Sequence, residues 1–142
     1  SGAVSGWGGG VRGAAGEVGP EVGAGQQDRV ACPTAFAEGA AVEAYNGPQD
    51  SVAAMKAEYE ARRDLLIAGL TEMGIPVNRP DGAFYAFPQI SADLVQKIVD
   101  AGVIITPGTA FGPAGEGYAR MSYATSQENI SEALCRMAKV VR

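Results

Sequence analysis

Glycine is distributed so unevenly along this chain that it decides where a core can form. Residues 1–25 hold half of the 20 glycines, and each adds backbone entropy that folding must remove without supplying a side chain to bury. Pro20 lies in the same stretch and would break any helix there. A packed domain is therefore expected from residue 33 onward, behind a glycine-rich segment of residues 1–32.

Within that segment, Gly8-Gly9-Gly10-Val11-Arg12-Gly13 fits the G-x-G-x-x-G spacing of phosphate-cradling loops. Such loops work where a buried strand turns into a helix whose N-terminal amides point at the anion. Upstream, "SGAVSGW" is too short and small for a buried strand, and downstream "AAGEVGPEVGAG" cannot propagate a helix. The context argues for an irregular segment over a dinucleotide site, so a nucleotide-binding protein is the weakest reading of the chain.

Composition narrows the chemistry. With 46% apolar and 19% charged residues, 142 residues suffice for one domain with its own core. No apolar run is long enough to cross a bilayer. A net charge of −5 without a dense Lys/Arg cluster gives no electrostatic footprint for nucleic acid. Histidine is absent, so Ser-His-Asp and Cys-His catalysis cannot operate within these residues, and no metal site is expected. Cys32 and Cys135 are far apart in sequence, no charged-then-apolar leader is seen at the N-terminus, and a reducing cytoplasm is the expected location.

From Pro33 the pattern becomes periodic. Helical spacings of Phe36, Ala40, Val42, Ala44 and Tyr45 predict a short helix from Thr34 to Tyr45, stopped by Asn46-Gly47-Pro48. Val52, Met55, Tyr59, Leu66, Leu70 and Met73 predict a longer one closed by Gly74, with Glu58 and Arg62 paired at i, i+4. "IPVN" and "AFYAF" read as two strands of a hairpin about Arg79-Pro80-Asp81-Gly82. Ser91 caps a helix over 92–101 with Leu94, Ile98 and Val99 inward, and "VIIT" reads as a buried strand. After a turn-rich loop, "YARMSYA" puts Tyr118, Arg120 and Ser122 on one face and Ala119, Met121 and Tyr123 on the other. Thr125 to Glu128 has capping-box spacing ahead of a terminal helix with Ile130, Leu134, Met137 and Val141 on one side. Strands in small runs between helices predict an α+β fold, an α/β two-layer sandwich whose small sheet is mostly antiparallel or mixed.

Four segments in order, "CPTAFAEGAAVEAYNGPQD", "EYEARRDLLIAGL", "PDGAFYAFPQI" and "VIITPGTAFGPAGEGYARMSYATSQENISEAL", resemble the C-terminal half of class I, fold type I pyridoxal-phosphate-dependent aminotransferases. The resemblance implies that residues 1–32 are a remnant of the large domain and 33–142 the small domain. It implies that the arginine of G-Y-x-R-x-S-Y-A, here Arg120, grips the α-carboxylate of the substrate through two parallel hydrogen bonds. It also implies transfer of an amino group between an amino acid and a 2-oxo acid, and a homodimer in the complete enzyme.

The family's cofactor lysine precedes a segment ending T-G-W-R, whose arginine holds the cofactor phosphate. "VSGW" matches that segment, but Gly8 stands in the arginine's place and the lysine falls before Ser1. Arg12 is the candidate for a displaced phosphate contact, against its reading as a charge in a glycine-rich loop. Lys56, Lys97 and Lys139 match no cofactor position. The chain is thus expected to be inactive by itself as a transaminase, as the C-terminal portion of a larger enzyme. The alternative is a non-catalytic α+β binding or interaction module derived from one.

Overall fold

The computed structural model describes residues 35–141, and within them two helices end on one device. α1 spans Ala35–Asn46, α2 Asp50–Glu72, α3 Ala92–Asp100 and α4 Gln127–Val141. After α2, Gly74 takes φ +74° and Ile75 N–H reaches back to the Leu70 carbonyl at 3.0 Å. After α3, Gly102 takes φ +82° and Val103 N–H reaches the Ile98 carbonyl at 3.1 Å. This six-residue closure satisfies carbonyls that the helix leaves unpaired, and its left-handed residue is one that glycine adopts at least cost. In both cases the residue that follows is buried with the one it bonds to, so the cap also turns the chain into the core.

The chain divides into two compact units, residues 1–53 and 54–142. The described part of the first holds α1 and the opening turn of α2; the expected boundary at 32/33 lies outside the described residues. α1 ends one residue later than its periodicity predicts, its expected start at Thr34 lies outside the described residues, and none of its residues is buried. Gly47 N–H bonds the Glu43 carbonyl at 2.7 Å, and the Gln49 side chain donates to the carbonyls of Ala44 and Gly47, which closes the turn before α2.

The second unit is the predicted α+β two-layer arrangement. Three short strands, β1 (Tyr85–Ala86), β2 (Thr106–Pro107) and β3 (Ala119–Ser122), form an antiparallel sheet in the order β1-β3-β2. One core cluster joins Ala86, Ala119, Met121 and Tyr123 of the sheet segments to Leu66 and Leu70 of α2, Val95 and Ile98 of α3, and Ile130 and Met137 of α4.

The hairpin expected between "IPVN" and "AFYAF" does not form. Residues 75–78 are not a strand, and their one rung is Gln89 N–H to the Pro76 carbonyl at 2.8 Å, because proline has no N–H to extend a ladder. The 83–90 segment pairs instead with β3: Tyr85 faces Ser122, Ala86 faces Met121, and Ala119 N–H donates to Pro88 O at 3.1 Å. Pro88 interrupts that ladder, yet burial alternates from Tyr85 to Ile90 as in a strand. "VIIT" is likewise half-buried rather than buried throughout, since Ile104 is 94% exposed between buried Val103 and Ile105. On α3, Val95 takes the inward place expected of Val99. The α4 cap moves one residue, with Ser126 Oγ accepting from Asn129 N–H at 3.3 Å while Asn129 Nδ2 donates to Thr125 Oγ1.

Two features outside the sheet bear on stability. Ala83 has φ +61°, a left-handed conformation that costs an L-residue roughly 1–2 kcal/mol. Its carbonyl accepts from the hydroxyl of buried Tyr123 at 3.2 Å, and the turn's left-handed residue is Ala83 and not Gly82. Asp64 receives Arg63 Nε at 2.9 Å and Arg79 Nη2 at 3.0 Å, and the Arg63 bond, then Arg79, holds its carboxyl below the usual range against the opposing effect of burial.

Ala83→Gly, which relieves the backbone at some entropic cost, is expected to raise stability by up to about 1 kcal/mol in urea unfolding. A carboxyl whose folded pKa is depressed contributes stability above its unfolded pKa of about 3.9, lost as pH falls through the folded value. Asp64→Asn is therefore expected to flatten the acid limb of the stability–pH curve below about pH 4 while leaving its shape near pH 7 unchanged. Thermal melts across pH 2–8, read at about half-unit steps, check this.

Candidate functional site

The face of the sheet away from the core is aromatic, and one arginine sits in it. The period-two alternation of β3 buries Ala119, Met121 and Tyr123 and turns Tyr118, Arg120 and Ser122 outward, as the sequence predicts. Arg120 is half-buried, opposite Thr106 of β2. Its guanidinium carbon lies 4.5 Å from the centre of the Tyr85 ring and 4.7 Å from that of Phe111. Tyr85 is paired with Ser122, the next outward residue of β3, so the ring reaches Arg120 along the diagonal of the ladder. Phe111 ends the first of two 3₁₀ turns, Gly108–Phe111 and Pro113–Gly115. Phe87 continues the surface, edge-on to Phe111 at 6.1 Å and stacked on Tyr118 at 5.7 Å.

The two 3₁₀ turns hold Phe111 because two glycine backbones pass in contact. A Cβ on Gly108 would collide with the carbonyl oxygens of Gly115 and Tyr118, and one on Gly115 would collide with the main chain of Gly108. Gly108 N–H donates to Tyr118 O at 2.8 Å and Tyr118 N–H to Gly115 O at 3.1 Å, which ties the loop to the end of β3.

Electrostatics set Arg120 apart. Among the five described arginines, Arg62 pairs with Glu58, Arg63 and Arg79 with Asp64, and Arg136 with Glu132. Glu58 and Glu132 are held below the usual carboxylate range, in each case first by the hydrogen bond from that arginine. Arg120 has rings instead of an acid, and no hydrogen bond or ion pair engages it among the described residues. Its N–H donors lie in the guanidinium plane, and with none spent on a described acid they are available to a planar carboxylate.

The other candidates separate from it. Arg12 lies outside the described residues. Lys56 meets Glu60 at 3.9 Å on α2, and Lys97 and Lys139 are exposed on α3 and α4, so no described lysine stands at the arginine to bond a carbonyl cofactor. Among the described residues no cluster of acids and cysteines could hold a metal ion, and no helix is long and apolar enough to cross a membrane. A groove of about 510 Å³ between α2 and α4, beside Gly69 and Cys135, and another of about 480 Å³ beside Ile104 and Arg136 both exclude Arg120. Sequence reasoning passed over Tyr85 and Phe111. The alternation of Tyr85 and Phe87 could have marked the first, but nothing in "PGTAFGPAGEG" says which way its one aromatic residue points.

The sequence model described as "Aminotransferase class I and II" matches residues 24–137. The chain belongs to this family. It is 44% identical over 126 residues to aromatic-amino-acid aminotransferase 2 of Thermococcus litoralis, covering 82% of this chain and 32% of that protein. The aromatic aminotransferase of Pyrococcus horikoshii superposes with a TM-score of 0.73 at 40% identity, over 82% of this chain and 34% of that one. Aspartate aminotransferase of Thermus thermophilus with maleate gives 0.72 at 35% identity, over 87% and 34%. The chain thus spans about a third of the length of the relatives it matches.

Gly108→Ala is expected to destabilise the second unit by about 1–3 kcal/mol, because the colliding atoms are backbone and cannot rotate away. Gly82→Ala, with open space around it, is expected to stay within about 0.5 kcal/mol of the parent in the same denaturation series.

Proposed function

We propose that this chain is the carboxylate-gripping portion of a pyridoxal-phosphate-dependent aminotransferase that moves an amino group between an amino acid and a 2-oxo acid. The observation that carries this reading is Arg120: flanked by Tyr85 and Phe111 and without an acid partner, it keeps its donor edges for an outside anion. A bidentate arginine–carboxylate pair fixes both position and orientation, which a lysine point charge would not. That a relative is crystallised with maleate, a dicarboxylate, supports the same ligand chemistry.

Pyridoxal phosphate, which the family implies, supplies the electron sink for transamination when bound. The described residues do not fit it, since they place no lysine at the site, and no step of the reaction is derived through it. In our reading Arg120 binds and orients the carboxylate, the remaining residues of a larger enzyme supply the cofactor site, and residues 1–142 alone do not transaminate. A homodimer of the larger enzyme is part of this proposal.

Titration of the isotopically labelled chain with maleate, followed at the Arg120 Nε–H resonance, is expected to give a saturable shift that is absent in Arg120→Ala. A response that persists in Arg120→Ala would remove Arg120 from the carboxylate role.

A further inference from the structure

Resting on that reading of Arg120, we infer that Phe111 and Tyr85 are positioning residues for carboxylate recognition. Each packs a ring against the guanidinium carbon and so holds the head of Arg120 in place before any ligand arrives.

The geometry supplies each part. The rings approach from different segments, Tyr85 from β1 and Phe111 from the 3₁₀ turn, at 4.5 and 4.7 Å from the guanidinium carbon. With rings packed against the guanidinium and no described acid bonded to it, its N–H groups stay available to an anion. An unstacked arginine would lose rotamer freedom on binding, whereas one already stacked has lost much of it.

Neither ring acts as core filler. Phe111 is 53% exposed and Tyr85 37% exposed, and their ring contacts include Arg120, Phe84 beside Tyr85 at 4.5 Å and Phe87 beside Phe111 at 6.1 Å. Phe111 is fastened through main chain rather than side chain. Gly112 N–H bonds Thr109 O at 3.1 Å, Gly115 N–H bonds Gly112 O at 3.0 Å, and the Gly108 and Tyr118 bonds tie the whole loop to the strand that carries Arg120. Ring and guanidinium are thereby fixed to one frame.

The test uses the whole 142-residue chain with maleate as probe and two readouts, the maleate Kd and the Arg120 Nε–H shift, which the currents of nearby rings displace. Phe111→Leu and Tyr85→Leu keep bulk and apolarity but remove the π face. Each is expected to weaken maleate about two- to fivefold, on the scale of an exposed cation–π contact, and to move the Nε–H resonance toward its unstacked position. Phe111→Tyr is expected to restore both. Amide shifts of Met121 and Tyr123 report whether the fold is intact, and because the rings come from separate segments either leucine variant serves if the other unfolds. A folded leucine variant with parent Kd and parent Nε–H shift, alongside an Arg120→Ala that no longer binds, overturns this inference and leaves the carboxylate reading standing. Binding that survives in Arg120→Ala overturns the carboxylate reading itself.

Discussion

The two-residue alternation of β3 is the constraint on which both the core and the candidate site depend. Because neighbouring side chains of an extended strand point to opposite faces, burying Ala119, Met121 and Tyr123 obliges Tyr118, Arg120 and Ser122 to face outward. A slip of one residue would place a guanidinium in the apolar cluster, which neither solvent nor a described acid could compensate there. The central position of β3, with a partner on each side, locks the register from both edges. The packing of the core and the outward placement of Arg120 are therefore specified by one decision.

The arginines show how environment assigns roles to chemically identical groups. Four of the five described lie where a carboxylate of the same fold satisfies them, and the affected acids are held ionised by that contact. The exposed Arg136–Glu132 pair contributes little to stability, whereas Arg63 is buried beside Asp64. Arg120 has aromatic faces in place of an acid, a setting that leaves its charge uncompensated within the described residues.

What could be read from the sequence follows from the range of the forces involved. Gly74, Gly102 and Ser91 act within a few residues, so the ends of α2 and α3 were legible directly. The outward face of β3 was legible too, since alternation is a local property. The partner of "AFYAF" was not, because pairing is decided by contacts more than thirty residues away and Pro76 vetoes the nearer choice. Arg120 was found through the pattern G-Y-x-R-x-S-Y-A, whereas Tyr85 and Phe111 converge on it only in three dimensions. The exposed Ile104 and the inward Val95 were misjudged for a related reason: apolarity alone does not say which side of an element meets the core.

The loop between β2 and β3 carries its information in atoms that are missing. Thr109, Ala110, Ala114 and Glu116 face solvent, and their letters can drift with little physical penalty. Gly108 and Gly115 cannot, since each is read by the other's backbone and not by any partner side chain. A segment that looks compositionally uninformative thus encodes one distance, the separation of two main chains, and the orientation of an aromatic ring is inherited from it.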